Sequence, residues 1–190
     1  MATRLVLLCH AATRAMREGA FSRLSEEIDE AGRSKAGAVS LRPAPQRVYI
    51  GPGPAAGQTA QALGLSGSIE PSLADMDWGG WRGRGLMDIQ EEDPAALAAW
   101  MKNPAAGVPG GEPFEAVRRR VSAWMDDLAA SDARILAVTY PSVLRAALAH
   151  VLGGPDATAF RIDVAPLARL TLSFNGVWRL QGLEAGAPDA

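Results

Sequence analysis

Short apolar runs alternate with longer amphipathic stretches along most of this chain. Arg4–Cys9 is an apolar run bounded by polar residues, which predicts a buried strand. Arg47–Ile50 and Arg134–Val138 read the same way. Between them the period lengthens. Ile28–Val39 carries apolar or small residues toward one side, and Ala55–Leu63 is closed by Gly64; both predict helices. The turn Gly51-Pro-Gly-Pro precedes the second, with Pro54 suited to a first helical turn. Asp93-Pro94 is a cap followed by a helix-opening proline, predicting a helix to about Met101. Over Glu112–Ala130, the residues Phe114, Val117, Val121, Trp124, Met125 and Leu128 recur on one side of a long helix. Pro141–Leu152 is a further helix closed by Gly153-Gly154. Near the end, Arg169–Phe174 and Val177–Leu180 flank Asn175-Gly176, a signal for a type I′ hairpin.

Strand–helix alternation predicts a three-layer α/β/α sandwich with a mostly parallel central sheet. Ligands of such sheets gather beyond the carboxyl ends of the strands. His10 and Tyr140 each follow a strand directly, so they are expected to face one pocket. The chain has 190 residues, enough for one large core. It reads as a single domain over residues 1–183, with 184–190 a small, polar and flexible tail. No internal repeat or linker interrupts it.

A net charge of −2 gives no general attraction to nucleic acid or to acidic membranes. The single cysteine excludes an internal disulfide and suits a reducing cytoplasm. The run Leu5–Cys9 is shorter than the apolar core of a secretory signal, about 7–15 residues, so a cytoplasmic location is expected. No cluster with metal-ligand spacing and no phosphate-cradling glycine loop is visible, so neither metal nor cofactor is implied.

Several blocks then carry a resemblance. Leu5-Val-Leu-Leu-Cys9-His10-Ala-Ala-Thr13 resembles the opening motif of the histidine phosphatase superfamily, which includes phosphoglycerate mutases and α-ribazole phosphatases. In that family a strand ends in Arg-His-Gly-x-Thr. Gln58-Thr-Ala-Gln-Ala-Leu63 resembles the helix after the family's second arginine. Leu73-Ala-Asp75-Met-Asp-Trp-Gly-Gly-Trp-Arg-Gly83 resembles Leu-x-Glu-x-x-Phe-Gly-x-Trp-Glu-Gly. Pro109-Gly-Gly-Glu-Pro-Phe114 resembles Pro-Gly-Gly-Glu-Ser-Phe, and Ile135–Leu152 resembles the late strand–histidine–helix block. The resemblance runs from about Thr3 to Leu183 and implies a phosphoglycerate mutase-like fold.

It also assigns positions. His10 falls on the phosphoryl-accepting histidine, Asp75 on the acidic proton donor, and Thr13 on the threonine of the first motif. The two phosphate-binding arginines fall on Cys9 and Ala55, and the second histidine falls on Tyr140. The family's fixed positive charge is therefore replaced. Arg82 and Arg84, in a loop with Gly83 and Gly85, are the residues able to restore it from another direction.

Phosphoryl transfer depends on cations and donors positioned at three charged oxygens. Loss of one such donor typically costs about 10²–10³ in rate. Tyr140 supplies a neutral hydrogen bond but no positive charge near neutral pH. The sequence thus leaves two readings open. In one, the chain is a catalytically degenerate member acting as a binding or interaction module for a small phosphorylated ligand or a protein partner. In the other, it is an active phosphomonoester phosphatase using His10 as acceptor and Asp75 as proton donor. Blander expectations attach to other residues. Cys9 is a small buried apolar side chain. Arg118-Arg-Arg120 is the wet face of its helix, His150 supports a helix end, and the five tryptophans serve core and pocket walls.

Overall fold

The computed structural model describes residues 2–186. A six-stranded sheet forms the middle layer. Its strands are β1 (Thr3–Cys9), β2 (Arg47–Ile50), β3 (Ser68–Ile69), β4 (Arg134–Thr139), β5 (Arg169–Phe174) and β6 (Trp178–Glu184), in the order β3-β2-β4-β1-β5-β6. The pairs β2–β3, β2–β4 and β1–β4 are parallel. The pairs β1–β5 and β5–β6 are antiparallel. The sheet is therefore mixed, where the alternation had predicted a mostly parallel one. A tight connection between consecutive strands can only return the chain antiparallel, and β5 and β6 are joined that way.

The joining loop differs from a type I′ turn. Phe174 pairs with Trp178, so the loop has three residues, 175–177. Gly176 alone in it has a positive φ, 78°, whereas a type I′ turn needs positive φ at both central positions. The Asn-Gly pair marks the hairpin correctly, and the extra residue moves the start of β6. Glu184, expected in the tail, pairs with Arg169 as the last residue of β6. The remainder of that tail, residues 187–190, lies outside the described residues.

Among the described residues, eight α-helices surround the sheet: α1 (Arg14–Glu18), α2 (Glu30–Gly37), α3 (Pro54–Ala62), α4 (Leu86–Glu92), α5 (Pro94–Lys102), α6 (Phe114–Leu128), α7 (Pro141–Leu152) and α8 (Asp156–Ala159). α6 packs on α7, which lies against β1 and β6; α2 packs on α3, which lies against β2 and β4. All six residues of the predicted α6 stripe are buried. α2 begins two residues later than its pattern suggests, because the Asp29 carboxylate accepts from Gly32 N at 2.6 Å and caps it. Ile28 instead forms a bridge with Thr13. At α5, Asp93 caps as expected, accepting from Ala96 N at 2.9 Å. Among the described residues no helix is long and apolar enough to cross a membrane.

The core has two parts. The larger is built on β1, β4 and the inner faces of α6 and α7, with Leu5, Leu7, Phe114, Ile135, Leu144 and Leu172 buried. The smaller joins Phe21, Trp81, Ile89, Leu97 and Val108, with Trp78 and Trp100 packed against it. Phe21 lies 5.0 Å from Trp78 and 5.3 Å from Trp100 between ring centroids. This aromatic cluster anchors α4 and α5 beside the carboxyl ends of β1 and β4, and so builds one wall of the site.

Candidate active site

His10 leaves the end of β1 and is held there by its own backbone. Its N–H donates to Thr139 O at 2.8 Å, and its carbonyl accepts from Leu167 N at 3.2 Å. The imidazole is buried, at 4 % exposure. Nδ1 donates to Ala11 O at 2.7 Å, which places the unprotonated Nε2 of the neutral ring on the other side. Burial pushes the His10 pKa below its ordinary value; the Ala11 carbonyl and the charges of Asp75 and Glu26 oppose the shift. Ala11 N donates in turn to Thr59 Oγ at 2.9 Å, and Thr59 Oγ donates to Ala55 O at 2.7 Å. The first turn of α3 thereby fixes the bend that carries His10.

That depressed value gives a pH expectation. The unfolded imidazole titrates near 6.5 (about that value in peptides), and the folded one titrates lower. Between the two values the unfolded chain binds more protons, so stability is lost as pH falls below 6.5. Urea unfolding of wild type and His10→Gln from pH 8 to 5 should show the wild type losing ground to the variant in the acid arm. Parallel curves would mean that His10 keeps an ordinary pKa in the folded state.

Asp75 enters from the loop between β3 and α4. Its Oδ2 accepts from Ser22 Oγ at 2.5 Å and Trp78 Nε1 at 3.3 Å. Its Oδ1 accepts from Ser142 Oγ at 2.7 Å and Met76 N at 2.8 Å. Arg120 clasps the same loop to α6, donating to Ser72 O, to Asp75 O and to both Glu112 carboxylate oxygens. Of the expected wet run on α6, only Arg119 is exposed. Arg118 pairs with Asp156 at 2.8 Å, and Arg120 faces inward because a loop needing donors packs against that side of the helix.

His10, Thr13 and Asp75 line one cavity of ≈ 320 Å³, walled by Phe21, Trp78, Trp100 and Phe160. Thr13 also caps α1, accepting from Met16 N at 3.3 Å. Tyr140 meets His10 edge to face at 5.2 Å between centroids. Its hydroxyl, however, donates to Pro52 O at 2.6 Å, and the residue lines a second cavity on the other side of Asp75. Burial, and then the Asp75 charge, push the Tyr140 pKa up. Cys9 and Ala55 are buried at 0 % and 1 % exposure and line neither cavity. Burial raises the Cys9 pKa, with the Asp75 charge adding to it, so the side chain is a thiol rather than a reactive thiolate.

The two loop arginines stand away from His10. Arg82 pairs with Asp77 and lines the second cavity. Arg84 pairs with Glu92 at 2.7 Å and lines neither. The cation that does line the His10 cavity is Arg145, on α7. Its Nε donates to Ile162 O at 2.9 Å, and its guanidinium sits 5.9 Å from the Phe160 ring centroid. Burial lowers its pKa, opposed by the charges of Asp163 and Asp75. Pro141, Ser142 and Arg145 all line the cavity. Arg145 lies three residues after Ser142 and four after Pro141, on the same helix face, and that spacing is the one signal in the sequence that could have found it. Ser22 and Thr59 carry no comparable signal.

The comparisons with known proteins decide the family. The profile of the histidine phosphatase superfamily (branch 1) matches residues 5–184. The chain belongs to that superfamily. A bifunctional protein of Mycobacterium tuberculosis is 28 % identical over 179 residues, covering 87 % of this chain and 49 % of the relative. An adenosylcobalamin/α-ribazole phosphatase of Salmonella typhimurium is 35 % identical over 99 residues, covering 50 % of this chain and 49 % of the relative. The matches thus span about half the length of these curated relatives. A mycobacterial glucosyl-3-phosphoglycerate phosphatase, solved with VO3, superposes with a TM-score of 0.84 at 26 % identity, covering 97 % of this chain and 99 % of that one. The α/β fold of this superfamily member is the one its ordered motifs predicted.

Proposed function

We propose that this chain is a catalytically degenerate histidine phosphatase that keeps the fold as a binding module for a small ligand of low negative charge. The observation that carries the reading is the charge around His10. By motif resemblance the family's arginines fall on Cys9 and Ala55, both buried, and the Tyr140 hydroxyl is committed to Pro52. Arg145 and Asp75 line the cavity as a formal plus and minus. A transferring phosphoryl group needs several positioned cations and donors, and here one guanidinium faces it, tied to Ile162. Aromatic walls and hydroxyls suit an organic ligand better than a free phosphate. The buried lone thiol supports placing the protein in a reducing cytoplasm.

A second reading, an active phosphomonoesterase, is favoured by one observation. The Nδ1–Ala11 hydrogen bond fixes the tautomer that a nucleophilic imidazole needs. The relatives named as phosphatases point the same way. The test compares wild type with His10→Ala on a panel of phosphate monoesters. Equal rates near background are expected. Robust turnover that disappears in His10→Ala would establish the second reading and overturn the first.

A further inference from the structure

A cavity remote from His10 gathers positive charge that the site above does not use. It has a volume of ≈ 250 Å³ and shares no lining residue with either cavity beside Asp75. Among the described residues, Arg4 of β1, Arg134 of β4, Arg169 of β5 and Arg42 of the segment before β2 all line it, against a single acidic residue, Glu184. The whole chain has a net charge of −2, so this concentration is local and runs against the general balance.

The arrangement is costly unless something negative occupies it. Arg4 and Arg134 are direct register partners on adjacent strands, and like charges opposite each other destabilise a sheet. Among the described residues, no carboxylate stands within ion-pair distance of Arg4, Arg42 or Arg134. Glu184 reaches Arg169 only at 3.9 Å. Two of the guanidiniums are oriented by backbone oxygens, which position them without neutralising them. Arg134 Nε donates to Ala44 O at 3.1 Å, and Arg169 Nη2 donates to Ser40 O at 3.4 Å. Arg169 Nε is buried with no hydrogen-bond partner. Such orphaned donors are rare in folded proteins and call for a missing acceptor.

Val6, Leu41, Pro43 and Leu136 supply an apolar part to the same cavity. We propose that this cavity is a second binding site, taking a small dianion, phosphoryl or sulfate, on a short apolar stem. Guanidinium forks match the oxygens of such groups bidentately, and the apolar surface accepts the stem. A volume of ≈ 250 Å³ suits a small molecule better than an extended polyanion.

Isothermal titration with inorganic phosphate, inorganic sulfate and phenyl phosphate tests it. Saturable one-site binding is expected, with phenyl phosphate the tightest, and with unchanged affinity in His10→Ala. Arg4→Ala and Arg42→Ala, both exposed side chains, should leave folding intact and each weaken binding about ten-fold, one charge-assisted contact apiece. Arg169→Lys should weaken it as well while keeping the charge, since the fork is lost. Absence of saturable binding at millimolar anion would overturn the proposal. So would loss of binding in His10→Ala, which moves the ligand to the other cavity, or tighter binding of a single-stranded oligonucleotide than of phenyl phosphate, which makes the face a polyanion surface.

Discussion

A variant carrying Cys9→Arg, Ala55→Arg and Tyr140→His is expected to hydrolyse phosphate monoesters at least about 10²-fold faster than wild type, given what one positioned donor contributes to such a step. No single change should do so, because residues of one catalytic unit act together and their effects do not add. Singly, Cys9→Arg puts a charge at a position of 0 % exposure, with Asp75 already satisfied by Ser22, Trp78, Ser142 and Met76. An unpaired buried charge is strongly destabilising, by about 3–5 kcal/mol when a pair is broken. Tyr140→His vacates space between His10 and Pro52, which lets a guanidinium from position 55 approach. A bound oxyanion then compensates both arginines. Vanadate should therefore raise the melting temperature of the triple variant, and adding His10→Ala should abolish both that shift and the turnover. If the triple variant folds and stays at background, the missing charge is not what separates this chain from a phosphatase.

The fold was largely readable in the chain because its burial is periodic. The run before His10 and the α6 stripe from Phe114 to Leu128 could be assigned from spacing alone. Elements without an apolar period could not. In α4 only Ile89 is buried, and β3 is two exposed residues held by pairing with β2. Strand direction departs from the alternation where β5 joins β1 antiparallel; the antiparallel β5–β6 pair itself was marked by Asn175-Gly176. In the site, motif order singled out His10, Asp75 and Tyr140, which the structure brings close together, yet the setting of each depends on partners distant in sequence. Ser22 and Asp75 are separated by 53 positions, and Arg120 reaches across 45 to the Asp75 carbonyl. Arg82 and Arg84 looked available because a glycine-rich loop carries them. Asp77 and Glu92, near them in sequence, hold them instead.

Arg120 is where the stability of the Asp75 loop concentrates, and Arg120→Ala is expected to destabilise the protein by about 2–4 kcal/mol, the range for losing charged hydrogen bonds and orphaning their acceptors. One guanidinium serves three residues: Ser72 O at 2.6 Å, Asp75 O at 3.1 Å, and both Glu112 oxygens at 3.2 Å. Glu112 closes the clasp, its carboxylate accepting from Asp77 N at 3.3 Å and its own N–H donating to Asp77 O at 2.8 Å. The pair is about one-fifth exposed on each side, so solvent screening keeps the direct ion-pair energy modest. Most of the loss comes from carbonyls left without donors. Arg120→Lys should recover only part of it, because an ammonium cannot reproduce the planar fork toward both carbonyls and the carboxylate. A double-mutant cycle with Glu112→Gln separates these contributions, and urea unfolding monitored at several wavelengths measures each corner. The expected coupling is about 1–2 kcal/mol, within the range for contacting residues, and smaller than the single loss from Arg120→Ala. A near-neutral Arg120→Ala would mean that the loop carrying Asp75 is held by its other contacts, Ser22 and Ser142 among them, and that the clasp adds nothing to its stability.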